Sequence, residues 1–290
     1  MNRRNFVKNG LSLAASIPLV HNLDLDAKKK KNIGIQIYTI RDIMSKDAMG
    51  GIKAIAAAGY KNIELAGYNG GKVYGMPVAD FKKLTKDLGL KIPSSHVAAN
   101  LGDYFKNKEI PADYLKSLDD AVFLGQTYQV FPFLAPAFRN DKDNAMRIAD
   151  LFNKLGMEAQ KRGLKFGYHN HAFEFDPIGD TNMMEIFMKE TDPKLVTIEL
   201  DLYWVAFANV DPVSFIKKYP GRFSLYHIKD MASTEKRESI EIGDGTIDFN
   251  RIVKEGGAVP YYLVEQEAYR TNSLEAMKAN FGRIKNLKLM

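Results

Sequence analysis

Lys165-Phe166-Gly167-Tyr168-His169-Asn170-His171-Ala172-Phe173-Glu174-Phe175 is the stretch on which the fold is decided. A short apolar run with strand-like alternation passes directly into two imidazoles, an amide and a carboxylate. Imidazoles need polar partners once buried, so such an exit is poor packing material. It suits the rim of a metal or proton-transfer site at the end of a strand.

Outward from that stretch the same unit repeats. Strand-like runs begin near residues 33, 62, 91, 128, 164, 196, 223 and 261, and helical periodicity follows each one. The helices are expected to end at Ala58, then to span Val78–Leu88, Pro111–Leu124, Lys142–Arg162, Thr181–Lys189, Pro212–Lys218, Phe249–Glu255 and Ser273–Leu287. Strands separated by crossover helices pair in parallel. Eight such units predict an α/β chain closed as a single (β/α)8 TIM barrel, a fold of about 250 residues. No G-x-G-x-x-G follows any strand, which argues against an open dinucleotide-binding sheet. No low-complexity linker interrupts the pattern, so residues 32–290 read as one domain.

Residues 1–31 read differently. They carry seven of the basic residues and only two acids, Asp24 and Asp26, a net +5 of the chain's +6. Arg3-Arg4-Asn5-Phe6-Val7-Lys8 followed by the apolar run Leu11 to Val20 resembles a bacterial twin-arginine export signal, with Lys28 to Lys31 as a solvated linker. The alternative is a basic, frayed N-terminus with a short amphipathic helix. Export implies a periplasmic protein, and the apolar run is too short for stable membrane insertion after processing. The remaining chain is close to neutral, which excludes a basic nucleic-acid face. Apolar and charged fractions of 46% and 26% are those of a globular chain with ample core. There is no cysteine, so a metal would have to be held by His, Asp and Glu. A homo-oligomer is allowed; nothing in the sequence sets its order.

The histidines beyond the leader are His96, His169, His171 and His227, all at or just past the ends of expected strands. Glu64, Asp201, Glu265 and Glu267 take equivalent places on strands 2, 6 and 8. In a barrel these ends share one face, where barrel active sites sit. We read His169, Asp201 and His227 as metal ligands, with one of Glu265 and Glu267 as a fourth and Glu265 preferred. An acid ending a buried strand is costly unless paired or ligated. Alternation sends Lys229 to the same face as His227, beside substrate oxygens. His96 and His171 are placed at substrate, as is Glu64. Trp204, Tyr38 and Phe131 offer aromatic platforms. Gly67 to Gly75 reads as a flexible loop over the site.

Ile35-Gln-Ile-Tyr-Thr-Ile-Arg41, Tyr168-His-Asn-His171, Leu200-Asp-Leu-Tyr-Trp204, His227-Ile-Lys-Asp230, Gly243-Asp-Gly-Thr-Ile-Asp-Phe249 and Val264-Glu-Gln-Glu267 together resemble the xylose isomerase-like barrel superfamily of sugar isomerases, epimerases and inosose dehydratases. The resemblance covers about residues 33–290. It implies one divalent cation, often manganese or cobalt, held by His169, Asp201, His227 and Glu265. Magnesium and zinc are not distinguished from these by the donor set. The first position departs from the epimerases, where a Glu stands and works as one of two opposed carboxylates; Glu174 could fold back to replace it. The implied chemistry is proton abstraction beside a sugar carbonyl through an enediolate, with His169, Glu265 and Lys229 as catalytic groups and a free sugar or keto-sugar as substrate. The broad expectation is an isomerase or epimerase. A keto-sugar or 3-keto-glycoside lyase, dehydratase or hydratase is the alternative, and a non-catalytic periplasmic sugar binder is the second.

Overall fold

Strands β1 (Ile33–Gln36), β2 (Asn62–Leu65), β3 (Lys91–His96), β4 (Tyr128–Phe131), β5 (Lys165–His169), β6 (Val196–Asp201), β7 (Phe223–Ile228) and β8 (Tyr261–Val264) run parallel. They close in the order β1-β8-β7-β6-β5-β4-β3-β2 in the computed structural model, which describes residues 32–139 and 141–289. The expected leader lies outside the described residues. Helices α1 (Ala48–Ala58), α2 (Val78–Asp87), α3 (Ala112–Leu124), α4 (Lys142–Lys161), α5 (Met183–Glu190), α6 (Pro212–Lys218), α7 (Phe249–Gly256) and α8 (Ser273–Ile284) follow the strands one for one. The result is the (β/α)8 barrel that the repeat implied.

Local chemistry explains where these elements start and stop. Asp47, Asp141, Asn182, Asp211, Asp248 and Asn272 each accept a backbone N–H of the first helical turn, satisfying a donor the helix itself cannot. Gly59 ends α1 at φ 105°, and a Cβ there would stand 2.4 Å from the Phe281 ring. Inside the barrel Gly34 makes room in the same way: its Cβ would meet Leu263 Cδ2 at 2.7 Å.

The strands divide their residues between two cores. Tyr128, Val130, Leu225 and Leu263 pack across the lower barrel interior with Tyr261. Phe131 and Tyr168 face outward, where Phe152 and Phe187 of α4 and α5 meet them with ring centroids 4.9 to 5.4 Å apart. Phe131 is therefore no sugar platform; alternation turns it into the outer core, with 1% of its surface exposed. Above the apolar plug the interior becomes polar. Register sets Gln36 opposite Glu64, Glu199 opposite His169, and Asp201 opposite His227.

Two loops on that face differ from expectation or acquire a reason. Residues 67–77 form a small three-stranded antiparallel sheet rather than an unstructured flap, with Gly67, Gly70, Gly71 and Gly75 all at positive φ. Asp230 accepts from the backbone N–H of Met231, Gly243, Gly245 and Ile247 at 2.8 to 3.1 Å. The Gly243–Phe249 motif is thus a structural lock on the loop after β7.

Candidate active site

Asp201 shows how the backbone builds this site. It is the last residue of β6 and also the N-cap of the short helix Leu202–Phe207. Its Oδ1 accepts from Tyr203 N and Trp204 N at 2.9 and 3.1 Å, and its own N–H donates to Asn170 Oδ1 at 2.9 Å. That leaves Oδ2 facing the barrel axis with no hydrogen bond, fully buried.

His169 comes from the neighbouring strand. Its Nδ1 lies 3.1 Å from the carbonyl oxygen of Pro132, which can only accept, so Nδ1 carries the proton. Nε2 is buried without a hydrogen bond, 3.4 Å from Asp201 Oδ2. His227 brings Nδ1 to 3.2 Å from Glu265 Oε2 and 3.9 Å from Asp201 Oδ2. One donor atom from each of His169, Asp201, His227 and Glu265 lies within 4.8 Å of the other three. Asp201 Oδ2 and His169 Nε2 face one another in the buried interior, an arrangement that a cation between them would satisfy. The donor set, two nitrogens and two oxygens, fits a divalent ion.

Lys229 shares this space. Its ammonium is buried 3.2 Å from Asp201 Oδ2 and 2.8 Å from Glu265 Oε2, pairs with Glu267, and lies over the rings of Tyr203 and Trp204. Burial opposes its charge, but the three carboxylates overcome that and hold it well above the usual lysine range. Asp201 responds in kind: against burial, Lys229 and His169 bring it down to about 2. Glu265 likewise falls well below the carboxylate range, burial being outweighed by Lys229 and His227.

One layer beneath lies a second group that the sequence only half revealed. Glu64, His96, Glu199 and His227 also place donor atoms within 4.8 Å of one another. His227 Nε2 is 2.7 Å from Glu64 Oε2, and His96 Nε2 is 2.7 Å from Glu199 Oε2. Glu64, expected at substrate, is fully buried and also accepts from Gln36 Nε2 at 2.9 Å. Glu199 was missed. It stands two residues before Asp201 on the same strand face, and alternation alone could have found it.

A cleft of about 760 Å³ opens above, lined among others by Tyr38, His96, Phe133, Arg139, His169, His171, Phe173, Trp204, Glu265 and Glu267. His171 stacks beside Phe173 and Trp204 at 5.8 and 5.3 Å, and burial pushes it down to about 2, so it is a neutral imidazole. Its Nδ1 and Trp204 Nε1 are buried without partners. Arg139 was also unforeseen. Its guanidinium lies 3.7 Å from the Phe173 ring centre and 4.5 Å from that of Phe133. Glu174 does not join the ligands. It turns to the outer side of the barrel, accepting from Tyr168 OH and, at 2.8 Å, from His171 N. Glu267 lines the cleft as the partner of Lys229, while Glu265 supplies the fourth donor.

Known proteins carry the same barrel. Residues 52–287 match the family model described as xylose isomerase-like TIM barrel. An inosose dehydratase of Clostridium botulinum is 27% identical over 231 residues, covering 70% of this chain and 75% of its own. Inosose dehydratase 2 of Bacillus cereus is 27% identical over 208 residues, 66% and 68% of the two chains. Among solved structures, a sugar phosphate isomerase/epimerase of Parabacteroides distasonis superposes with a TM-score of 0.76 at 30% identity, covering 91% of this chain and 96% of that one. With a closed eight-stranded barrel and a match spanning most of its length, the chain belongs to the xylose isomerase-like TIM barrel family.

Proposed function

We propose that this protein is a divalent-metal-dependent enzyme that removes the proton next to the carbonyl of a sugar or keto-sugar, giving an enediolate and from it an isomerised or epimerised product. The observation that carries the reading is the convergence of His169, Asp201, His227 and Glu265 at the floor of a cleft. A divalent ion bound there would polarise the carbonyl and adjacent hydroxyl and stabilise negative charge on them.

The chain's own groups supply the rest. Glu265 flanks the floor and, offering the ion one oxygen, can take up and return a carbon-bound proton through the other. The Lys229 ammonium lies beside it, placed to steady oxyanion charge. Phe133, Phe173 and Trp204 present ring faces to the apolar side of a sugar, while His171 Nδ1 and Trp204 Nε1 await its hydroxyls.

One observation favours a second outcome on the same site. The resemblance sets His169 where related epimerases carry a carboxylate, which disfavours symmetric two-carboxylate epimerisation. Abstraction by Glu265 followed by departure of a β-hydroxyl, protonated to water by an imidazole, would make the enzyme a dehydratase. The named activity of the inosose dehydratase relatives supports this. The test is incubation of metal-loaded protein with free and oxidised sugars and cyclic polyol ketones in deuterated water, followed by NMR. Deuterium at the carbon next to the carbonyl supports the proposal, with an unsaturated or deoxy product marking elimination. Bound substrate with no exchange and no product refutes it.

A further inference from the structure

We propose that Glu64, His96, Glu199 and His227 form a second divalent-cation site beneath the first, sharing His227 with it through the opposite ring nitrogen. The proposal goes beyond the functional reading above and does not depend on it.

Its geometry is a closed ring of four donor atoms. Going round it, Glu64 Oε2 to His227 Nε2 is 2.7 Å, His227 Nε2 to Glu199 Oε2 is 3.2 Å, Glu199 Oε2 to His96 Nε2 is 2.7 Å, and His96 Nε2 to Glu64 Oε2 is 3.2 Å. If the ring is flat, its centre lies about 2 Å from each atom, the length of a metal bond to imidazole nitrogen or carboxylate oxygen.

Two further observations point to a ligand. Glu64 Oε1 and Glu199 Oε1 are buried without any hydrogen-bond partner, which leaves each carboxylate a second oxygen to offer. Gln36 Nε2 meanwhile holds Glu64 Oε2 from the side, as outer partners of metal-binding carboxylates do. With both sites filled, His227 would bridge the two ions through both ring nitrogens and so would have lost both ring protons. His96, alone of the four in keeping some exposure, lines the cleft.

The experiment uses cobalt(II) alone, followed by its visible ligand-field absorption and by equilibrium dialysis. It compares the wild-type chain, the upper-site variant Asp201→Asn with Glu265→Gln, that variant with Glu199→Gln added, and that variant with His96→Asn added. Circular dichroism and thermal melts confirm folding of each. The expected result is that the upper-site variant still binds one cobalt, and that either added change weakens it by about 100-fold or more. A folded upper-site variant that binds none overturns the lower site while leaving the proposed function standing. Cobalt binding indifferent to both Glu199→Gln and His96→Asn overturns it too. An upper-site variant that keeps the full wild-type cobalt complement, lost on adding Glu199→Gln, supports the lower site and removes the upper one.

Discussion

His169 donates Nδ1–H to the carbonyl oxygen of Pro132 at 3.1 Å, which turns its Nε2 toward Asp201 Oδ2, 3.4 Å away. A backbone carbonyl on β4's exit thereby sets the tautomer of a ring on β5. Replacing His169 or Asp201 by Ala removes one of four donors. Divalent-ion affinity should fall by more than the roughly 10- to 100-fold expected for loss of a mere outer partner, with catalysis falling in step. Competition with a chelating dye measures the first, and deuterium exchange the second.

His227 is pushed well above its usual range: burial opposes its charge, but Glu199, Glu265 and Glu64 overcome it. The metal-free ring is therefore cationic near neutral pH, and an ion binding at Nδ1 must displace that proton. Metal affinity should rise with pH. Calorimetric titration in buffers of different ionisation enthalpy should show close to one proton released per ion; none released would contradict this assignment.

Lys229 separates metal binding from catalysis. In Lys229→Met the buried carboxylates of Asp201 and Glu265 lose their internal cation, and breaking such a set costs about 3–5 kcal/mol. The metal-free variant should melt well below wild type and recover much of the loss on adding metal. It should bind the ion more tightly yet turn over substrate more slowly. A variant equal to wild type in both affinity and rate would remove Lys229 from the site.

How much of this was legible depended on period. The strand starts at Ile33, Asn62, Lys91, Tyr128, Val196, Phe223 and Tyr261 fall where alternation placed them, and β5 begins at Lys165 rather than Leu164. Strand-end residues were legible for the same reason, since a barrel gathers all eight ends on one face. Groups outside that logic were not. Arg139 reaches the cleft from an irregular segment after Pro132 by lying on Phe173, a contact no local pattern encodes. Glu174 sits near the ligands in sequence but turns outward, because Tyr168 and the His171 N–H capture its carboxylate.

That capture gives Glu174 a pH signature. Burial raises it from 4.5 to about 7, with the hydrogen bonds of Tyr168 and His171 only partly opposing. The folded state then binds the extra proton between those values. Its contribution to stability is greatest below pH ~4 and declines as pH climbs to about 7, by on the order of 3 kcal/mol. Glu174→Gln should flatten that part of the melting-temperature profile. An unchanged slope between pH 4.5 and 7 would refute the protonated carboxyl.

We propose that the Arg3-Arg4 leader exports the folded chain, as the basic and apolar order of residues 3–20 suggests. Arg3→Lys with Arg4→Lys should then hold the protein in the cytoplasm, as judged by cell fractionation. Equal periplasmic recovery of the variant and the native sequence would contradict a twin-arginine route.

The most direct test is an anomalous difference map recorded at the manganese edge from crystals grown with manganese(II). The expected result is a peak within bonding distance of His169 Nε2, Asp201 Oδ2, His227 Nδ1 and Glu265 Oε2, with the Lys229 ammonium drawn back from Asp201. A map with no peak there at saturating manganese, and Lys229 still bridging Asp201 and Glu265, would contradict it.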